Sequence, residues 1–187
     1  MSKVYKAKRI GTKVVTGKVR LSYAHLHEPY AIEGNDPRYS VSLIIPKSDK
    51  ETIKAIQEAI KEAKENYKHL WGGKIPTNLK TPLRDGDEER PDDEAYANSY
   101  FINANSKRKP EIVDLKGNKD LGPDEVYSGC YARVSINFFG FNAAGNKGIG
   151  CGLGNVQKLD DGEPLGGFSR AEDDFEFETE EDDDCLF

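Results

Sequence analysis

Residues 130–142, CYARVSINFFGFN, alternate without a break, and this alternation constrains the fold more than any other feature of the chain. Cys130, Ala132, Val134, Ile136 and Phe138 make one apolar face. Tyr131, Arg133, Ser135, Asn137, Phe139 and Phe141 make the other, a mixture of rings, a cation and small polar groups. Side chains that switch sides at every residue have the period of a β-strand, and a run this long needs a sheet with one face packed. The following NKGIGCGLGN keeps the period, with Ile149, Cys151 and Leu153 on one side and Gly148, Gly150, Gly152 and Gly154 on the other. GNKG between the two runs predicts a hairpin turn. A face without side chains admits close approach, by a neighbouring strand at a corner or by a ligand. These glycines form neither a phosphate loop nor a dinucleotide fingerprint, because Asn146-Lys147-Gly148 stands where Lys-Ser/Thr is required and a strand follows instead of a helix.

The rest of the body has the same character. In residues 13–24, Val15, Val19, Leu21 and Tyr23 alternate with Lys18, Arg20 and Ser22, which predicts a half-buried strand that bends at Gly17. HLHEPYAIEGNDPRY reads as a loop, and RYSVSLIIP as a second strand stopped by Pro46. Ser48 and Glu51 have capping-box spacing and open a helix over about 49–70. Its apolar stripe is Ile53, Ile56, Ile60, Ala63, Tyr67 and Leu70, and Gly72-Gly73 ends it. Residues 74–97 have no periodicity, and about 84–97 form an acidic, turn-rich loop. SYFINANSK and KPEIVDLKG are further strands. Short strands with one inserted helix make residues 1–170 a mostly β domain, a barrel or a sandwich.

Charge divides the chain in two. The whole carries 27 basic and 33 acidic residues, for a net charge of −6. Ten of the acids lie in AEDDFEFETEEDDDCLF, residues 171–187, leaving 23 acids against 27 bases before it. A like-charge block this dense repels itself and buries too little to fold, so 171–187 is expected to be a disordered interaction tail. Cys130, Cys151 and Cys185 are odd in number and lack CxxC spacing, which suits reduced thiols in a cytoplasm. No apolar run approaches the roughly 18–20 residues of a membrane span, and no secretory signal opens the chain.

The polar face of 131–141 is what a single-stranded nucleic acid requires. Each base has a face that can stack, at about 1–3 kcal/mol, and the phosphates need cations. Tyr131, Arg133, Phe139 and Phe141 are therefore candidate contacts. SYFINANSKRKP adds Phe101, on one face with Asn103 and Asn105, and the cluster Lys107, Arg108 and Lys109. Lys18, Arg20 and Arg38 complete a groove that could follow a phosphate backbone. The competing class is a metal-dependent nuclease using Asp85, Asp87, Glu88, Glu89, Asp92, Asp93 and Glu94, oxygen ligands that suit Mg²⁺. Those acids sit in one contiguous loop and no nucleophile motif appears, so no catalytic residue, metal or cofactor is expected. A virion structural protein fits the basic and aromatic faces least.

VTGKVRLSYAHLHEPYA, YSVSLIIPKSD, PLRDGDEERPDDEAYANSYFINANS, VYSGCYARVSINFFGFN and NKGIGCGLGNVQKLDDGEPLGG resemble the single-stranded DNA-binding proteins of phages of Gram-positive bacteria. More distantly the chain is similar to the single-stranded DNA-binding protein of T7-like phages. The resemblance implies an OB-fold-like five-stranded barrel with an added helix and an acidic tail, acting in phage DNA replication, recombination and repair in the cytoplasm of an infected or lysogenic host. It implies that the tail recruits phage or host replication and recombination proteins and competes with DNA for the groove. Asp182, Asp183, Asp184, Leu186 and Phe187 resemble the Asp-rich, Phe-terminated tip of bacterial tails, with Cys-Leu in place of the usual Ile-Pro. The sequence leaves a homodimer open.

Overall fold

The computed structural model describes residues 5–31, 34, 36–119 and 121–165. The tail expected at 171–187 lies outside them. Strands β1 (Lys8–Ile10) and β2 (Lys13–Val15) form a hairpin, followed by β3 (Val19–Tyr30) and β4 (Arg38–Pro46). Helix α1 (Lys50–Asn66) runs into a 3₁₀ turn at Lys68–Trp71. Strand β5 (Leu83–Asp85), the one-turn helix α2 (Gly86–Glu89) and a 3₁₀ turn at Glu94–Tyr96 precede β6 (Ser99–Ser106) and β7 (Ile112–Val113). The long hairpin β8 (Tyr131–Ala143) and β9 (Asn146–Asp160) completes the order.

Five of these strands close on themselves. β3 pairs with β4, β4 with β6, β6 with β9, β9 with β8, and β8 again with β3. The β6–β9 contact is parallel and sets Asn105 opposite Gly152, whereas the other four are antiparallel. The chain is mostly β with one main helix, and the ring is the OB-like arrangement expected from the sequence. Its inward positions hold Leu21, Val41, Leu43, Ile45, Ile102, Ile136 and Phe138, all buried. The two faces of β8 are those its alternation predicts, with Phe138 fully buried and Phe139 exposed.

Helix α1 covers the ring with Ile53, Ile56, Ala59, Ile60 and Ala63. Its cap is Asp49, one residue past the expected Ser48, and the Asp49 carboxylate accepts from the Thr52 amide at 3.2 Å and the Thr52 hydroxyl at 2.6 Å. Gly17 donates its amide to Thr52 Oγ1 at 3.0 Å, so the bend between β2 and β3 is bound to the helix start. The helix stops at Asn66, short of the predicted 70. The chain tightens into the 3₁₀ turn, Gly72 ends it at φ 72°, and Trp71 turns inward while Leu70 stays outside. Trp71 Nε1 donates to the Phe141 carbonyl at 3.0 Å.

This seat depends on Gly140, where an added Cβ would lie 2.4 Å from Tyr67 Cβ and 3.1 Å from Trp71 Cζ2. Gly140→Ala is therefore expected to cost about 1–3 kcal/mol. Thermal unfolding would register it as a lower midpoint, and an unchanged midpoint would mean that the helix end does not press on β8.

Three connections differ from the sequence reading. HLHEPY is strand, because β3 continues to Tyr30 beyond register shifts at Ser22/His25 and His25/Tyr30. The β8–β9 turn is Ala144-Gly145, both at positive φ and two residues earlier than GNKG places it, because Ala143 already pairs with Asn146. KPEIVDLKG yields just the two-residue β7, since Asp114 turns the chain by accepting from the Lys116 and Asn118 amides.

Candidate nucleic-acid interface

The outward side of β3, β4 and β6 forms an open cleft of about 820 Å³. Its floor is Ser40 and Ser42 of β4 with Asn103 and Asn105 of β6, brought together by the antiparallel pairs Ser40↔Asn105 and Ser42↔Asn103. The far part of β3 supplies the rings. Tyr23 lies in the irregular stretch between Ser22 and His25, at φ 47°, and the residue is 51% exposed. His25 stacks on Tyr30 with centroids 4.4 Å apart and planes 15° from parallel. Arg38 donates to Asn105 Oδ1 at 2.9 Å, which holds its guanidinium at the edge of the floor.

The acidic loop reaches the cleft through Arg90. Lys47 bridges Asp85 at 3.0 Å and Asp87 at 2.8 Å, and Asp87 also accepts from the Asn98 amide at 2.9 Å. These bonds, that from Lys47 foremost, hold the Asp87 carboxyl below the usual carboxylate range. Bonds to Asp87 and then Asp85 raise the Lys47 ammonium. Glu89 pairs with Arg84, and Asp93 accepts from the Ala95 amide. Within the loop Tyr96 packs edge-on against Phe101 at 5.1 Å and donates to Ser42 Oγ at 3.1 Å. Arg90 lines the cleft directly.

The residues expected to bind DNA fall into four groups, the last of them Phe139 and Phe141. Arg38 borders the cleft, and Arg108 and Lys109 line a smaller depression beside Gly154 and Asn155 of β9. Lys107 is exposed next to them and lies 3.7 Å from Asp36. Lys18, Arg20, Tyr131 and Arg133 form a separate group with other engagements. Lys18 pairs with Asp160 at 2.5 Å, and Arg20 donates to the carbonyls of Gly129 and Glu163 at 3.0 and 2.6 Å. Both cations lie over the Tyr131 ring, at 5.0 and 5.6 Å. Arg133 donates to the carbonyls of Thr16 and Lys6 at 3.0 and 2.9 Å. The third group is Phe101 alone. At 2% exposure it packs with Ile44 and Tyr96, so its ring offers no stacking surface, and this corrects its place among the expected contacts.

Phe139 and Phe141 lie across the glycine face of β9. Cross-strand pairing puts Phe139 opposite Gly150 and Phe141 opposite Gly148, and added Cβ atoms there would come within 2.6 and 2.8 Å of the respective Cζ atoms. The glycines make room for rings from the adjacent strand, an arrangement that protects glycine in a sheet. Gly152 faces Asn105, so this surface continues the cleft floor around the ring of strands.

Sequence reading missed Tyr23, His25, Tyr30 and Arg90. Continuous alternation put Tyr23 on the buried face, whereas the bulge turns it out. The aromatic spacing within HLHEPY was the available signal.

An OB-type ring with an open strand face lined by rings, amides and cations defines an oligonucleotide-binding class of fold. The chain belongs to the family described as Enterobacter phage Enc34, ssDNA-binding protein, which matches residues 12–186. It resembles the solved single-stranded DNA-binding protein from bacteriophage Enc34 in complex with ssDNA, at 28% identity and a TM-score of 0.74, over 89% of this chain and 100% of that one. Protein p50 of Acyrthosiphon pisum secondary endosymbiont phage 1 is 28% identical, over 93% of this chain and 98% of its own. The crystal structure of gp2.5, a single-stranded DNA-binding protein encoded by bacteriophage T7, shares the fold at 18% identity and a TM-score of 0.60, over 91% and 96% of the two chains.

Proposed function

We propose that the chain binds single-stranded DNA, without chemistry and with little sequence preference, along the outward face of β3, β4 and β6. The observation that carries this reading is the cleft itself, where the exposed Tyr23 and the stacked His25–Tyr30 pair stand beside Arg38 and Arg90 over a floor of serines and asparagines. Rings stack on any base and cations follow any backbone, so such a surface tolerates sequence. The strand passes over Asn103 and Asn105 to the glycine face and Phe139, with Lys107, Arg108 and Lys109 along its edge. Lys18, Arg20, Tyr131 and Arg133 have a lesser part, since their polar groups already hold protein atoms. Separately, Asp182, Asp183, Asp184, Leu186 and Phe187 recruit replication and recombination proteins in the host cytoplasm. Nothing favours the nuclease alternative, because Asp85, Asp87, Glu89 and Asp93 serve the loop's own structure.

Titration of fluorescently labelled oligo(dT) tests the reading. Log K is expected to fall linearly with log salt, with a slope of about 0.7 per neutralised phosphate. Added Mg²⁺ should leave the oligonucleotide at full length. Affinity indifferent to salt, or a preference for duplex, would overturn the proposal. Tyrosine emission is the better intrinsic probe, because Tyr23 and Tyr30 line the cleft while Trp71 is buried at the helix end.

A further inference from the structure

Arg90 is the one basic residue in DGDEERPDDEAYAN, residues 85–98, where seven carboxylates surround it in sequence. It pairs with none of the described ones. Asp85 and Asp87 are turned to Lys47 and Glu89 to Arg84. The guanidinium instead lies among three rings, 4.9 Å from the centroid of Tyr96, 5.1 Å from Phe101 and 5.3 Å from Tyr23. Its Nε is shut off from solvent without a hydrogen-bond partner among the described residues. The backbone is fixed as well. The Arg90 amide donates to the Gly86 carbonyl at 2.9 Å, its own carbonyl accepts from the Asp93 amide at 3.1 Å, and Pro91 follows directly.

A planar cation held among rings, without a side-chain hydrogen bond or ion pair among the described residues and lining a cleft, is prepared for an anion that can offer its fork a pair of oxygens. From this juxtaposition we infer that Arg90 is the fixed phosphate receiver of the cleft, and that the acidic loop exists to deliver it. The inference rests on the proposed single-stranded DNA binding and assigns the loop a part in it. The aromatic surroundings hold the guanidinium in place before DNA arrives, so little side-chain freedom is lost on binding. Three of the loop's carboxylates, Asp85, Asp87 and Glu89, are tied back to Lys47 and Arg84 and so are kept from neutralising it. Gly86 permits the fold of the loop, since a Cβ there would lie 2.4 Å from the Tyr96 carbonyl oxygen.

The test is oligo(dT) binding by the full chain and by Arg90→Ala and Arg90→Lys, each over a salt series, with thermal unfolding as the check on folding. Arg90→Ala is expected to weaken binding on the order of tenfold and to lower the salt slope by about 0.7, one phosphate's worth. Arg90→Lys should keep the slope and still bind several-fold more weakly, because an ammonium neither forks nor stacks. Unchanged affinity and slope in Arg90→Ala would overturn the inference while the unaltered chain's own binding upholds the functional reading. Tighter binding by Arg90→Ala would also overturn it, by showing that the guanidinium holds an acidic segment of the chain itself. If Arg90→Ala does not fold, Arg90→Lys decides, and affinity equal to the unaltered chain's counts against the inference. No binding by the unaltered chain would instead remove the functional reading.

Discussion

Phe138→Ala is expected to cost about 3–5 kcal/mol of folding stability, while Phe139→Ala, one residue along, leaves the fold intact and weakens DNA binding by about 1–3 kcal/mol. The two side chains have the same chemistry on opposite faces of β8. Phe138 is fully buried among Val134, Ile136 and Cys151, and truncating it leaves a cavity in a close-packed interior. Phe139 is 37% exposed, and its ring rests on Gly150, so its loss uncovers a glycine and removes a stacking surface. Chemical denaturation and oligo(dT) titration of both variants measure the pair. Should Phe139→Ala unfold the protein, the ring over Gly150 would be structural. Should Phe138→Ala lose DNA at full stability, the facing of β8 would be reversed.

That contrast was legible in the sequence because β8 is long, regular and buried on one side. Strict alternation fixes the side of every residue, and a one-residue slip would drive Arg133 and Asn137 into the core. Helix α1 was legible for a similar reason, although its cap moved from Ser48 to Asp49. A second ligand for the Asp49 carboxylate, the Thr52 hydroxyl, decided between neighbouring candidates, and this is a tertiary matter.

The candidate site was read less well, and the failures share a cause. Tyr23 leaves its expected side because β3 bulges after Ser22, and a bulge restarts the alternation without marking the sequence strongly. Phe101 has the right parity for the outward face, as Asn103 and Asn105 do. What parity cannot show is that Tyr96 and Arg90 return from the acidic loop to cover that end of the strand. Lys18, Arg20 and Arg133 were identified correctly as outward cations, yet their donors go to carbonyls of Gly129, Glu163, Thr16 and Lys6. Charge and periodicity locate a side chain. They do not tell whether its hydrogen bonds are already spent on chain segments far away in sequence.

Removing residues 171–187 is expected to tighten single-stranded DNA binding on the order of tenfold at low salt, and to abolish capture of the replication proteins that read the tail. The segment carries ten of the chain's acids and no Lys or Arg, against 27 bases and 23 acids in the remainder. The routing of the chain before it strengthens the expectation. Arg20 holds the Glu163 carbonyl, Leu165 donates its amide to Ser128 at 2.9 Å, and Leu165 packs against Ile44, Tyr96 and Phe101. Tyr96 and Phe101 are the rings beneath Arg90. The last described residue, Leu165, is therefore packed near the rings beneath Arg90, and a polyanion tethered six residues further on has an effective concentration in the millimolar range. On the proposed role of the tail, DNA, the denser polyanion, would displace it and free it for a partner. Screening shortens the reach of such competition, so the gain from deletion should shrink as salt rises. Removing Leu186 and Phe187 alone keeps all ten charges, and this variant should bind DNA as the full chain does while losing the partner. The measurements are oligo(dT) affinity over a salt series and pull-down of tail-binding proteins from infected cells. Weaker DNA binding after full deletion would refute competition, and would assign the acidic segment to supporting the DNA-binding body.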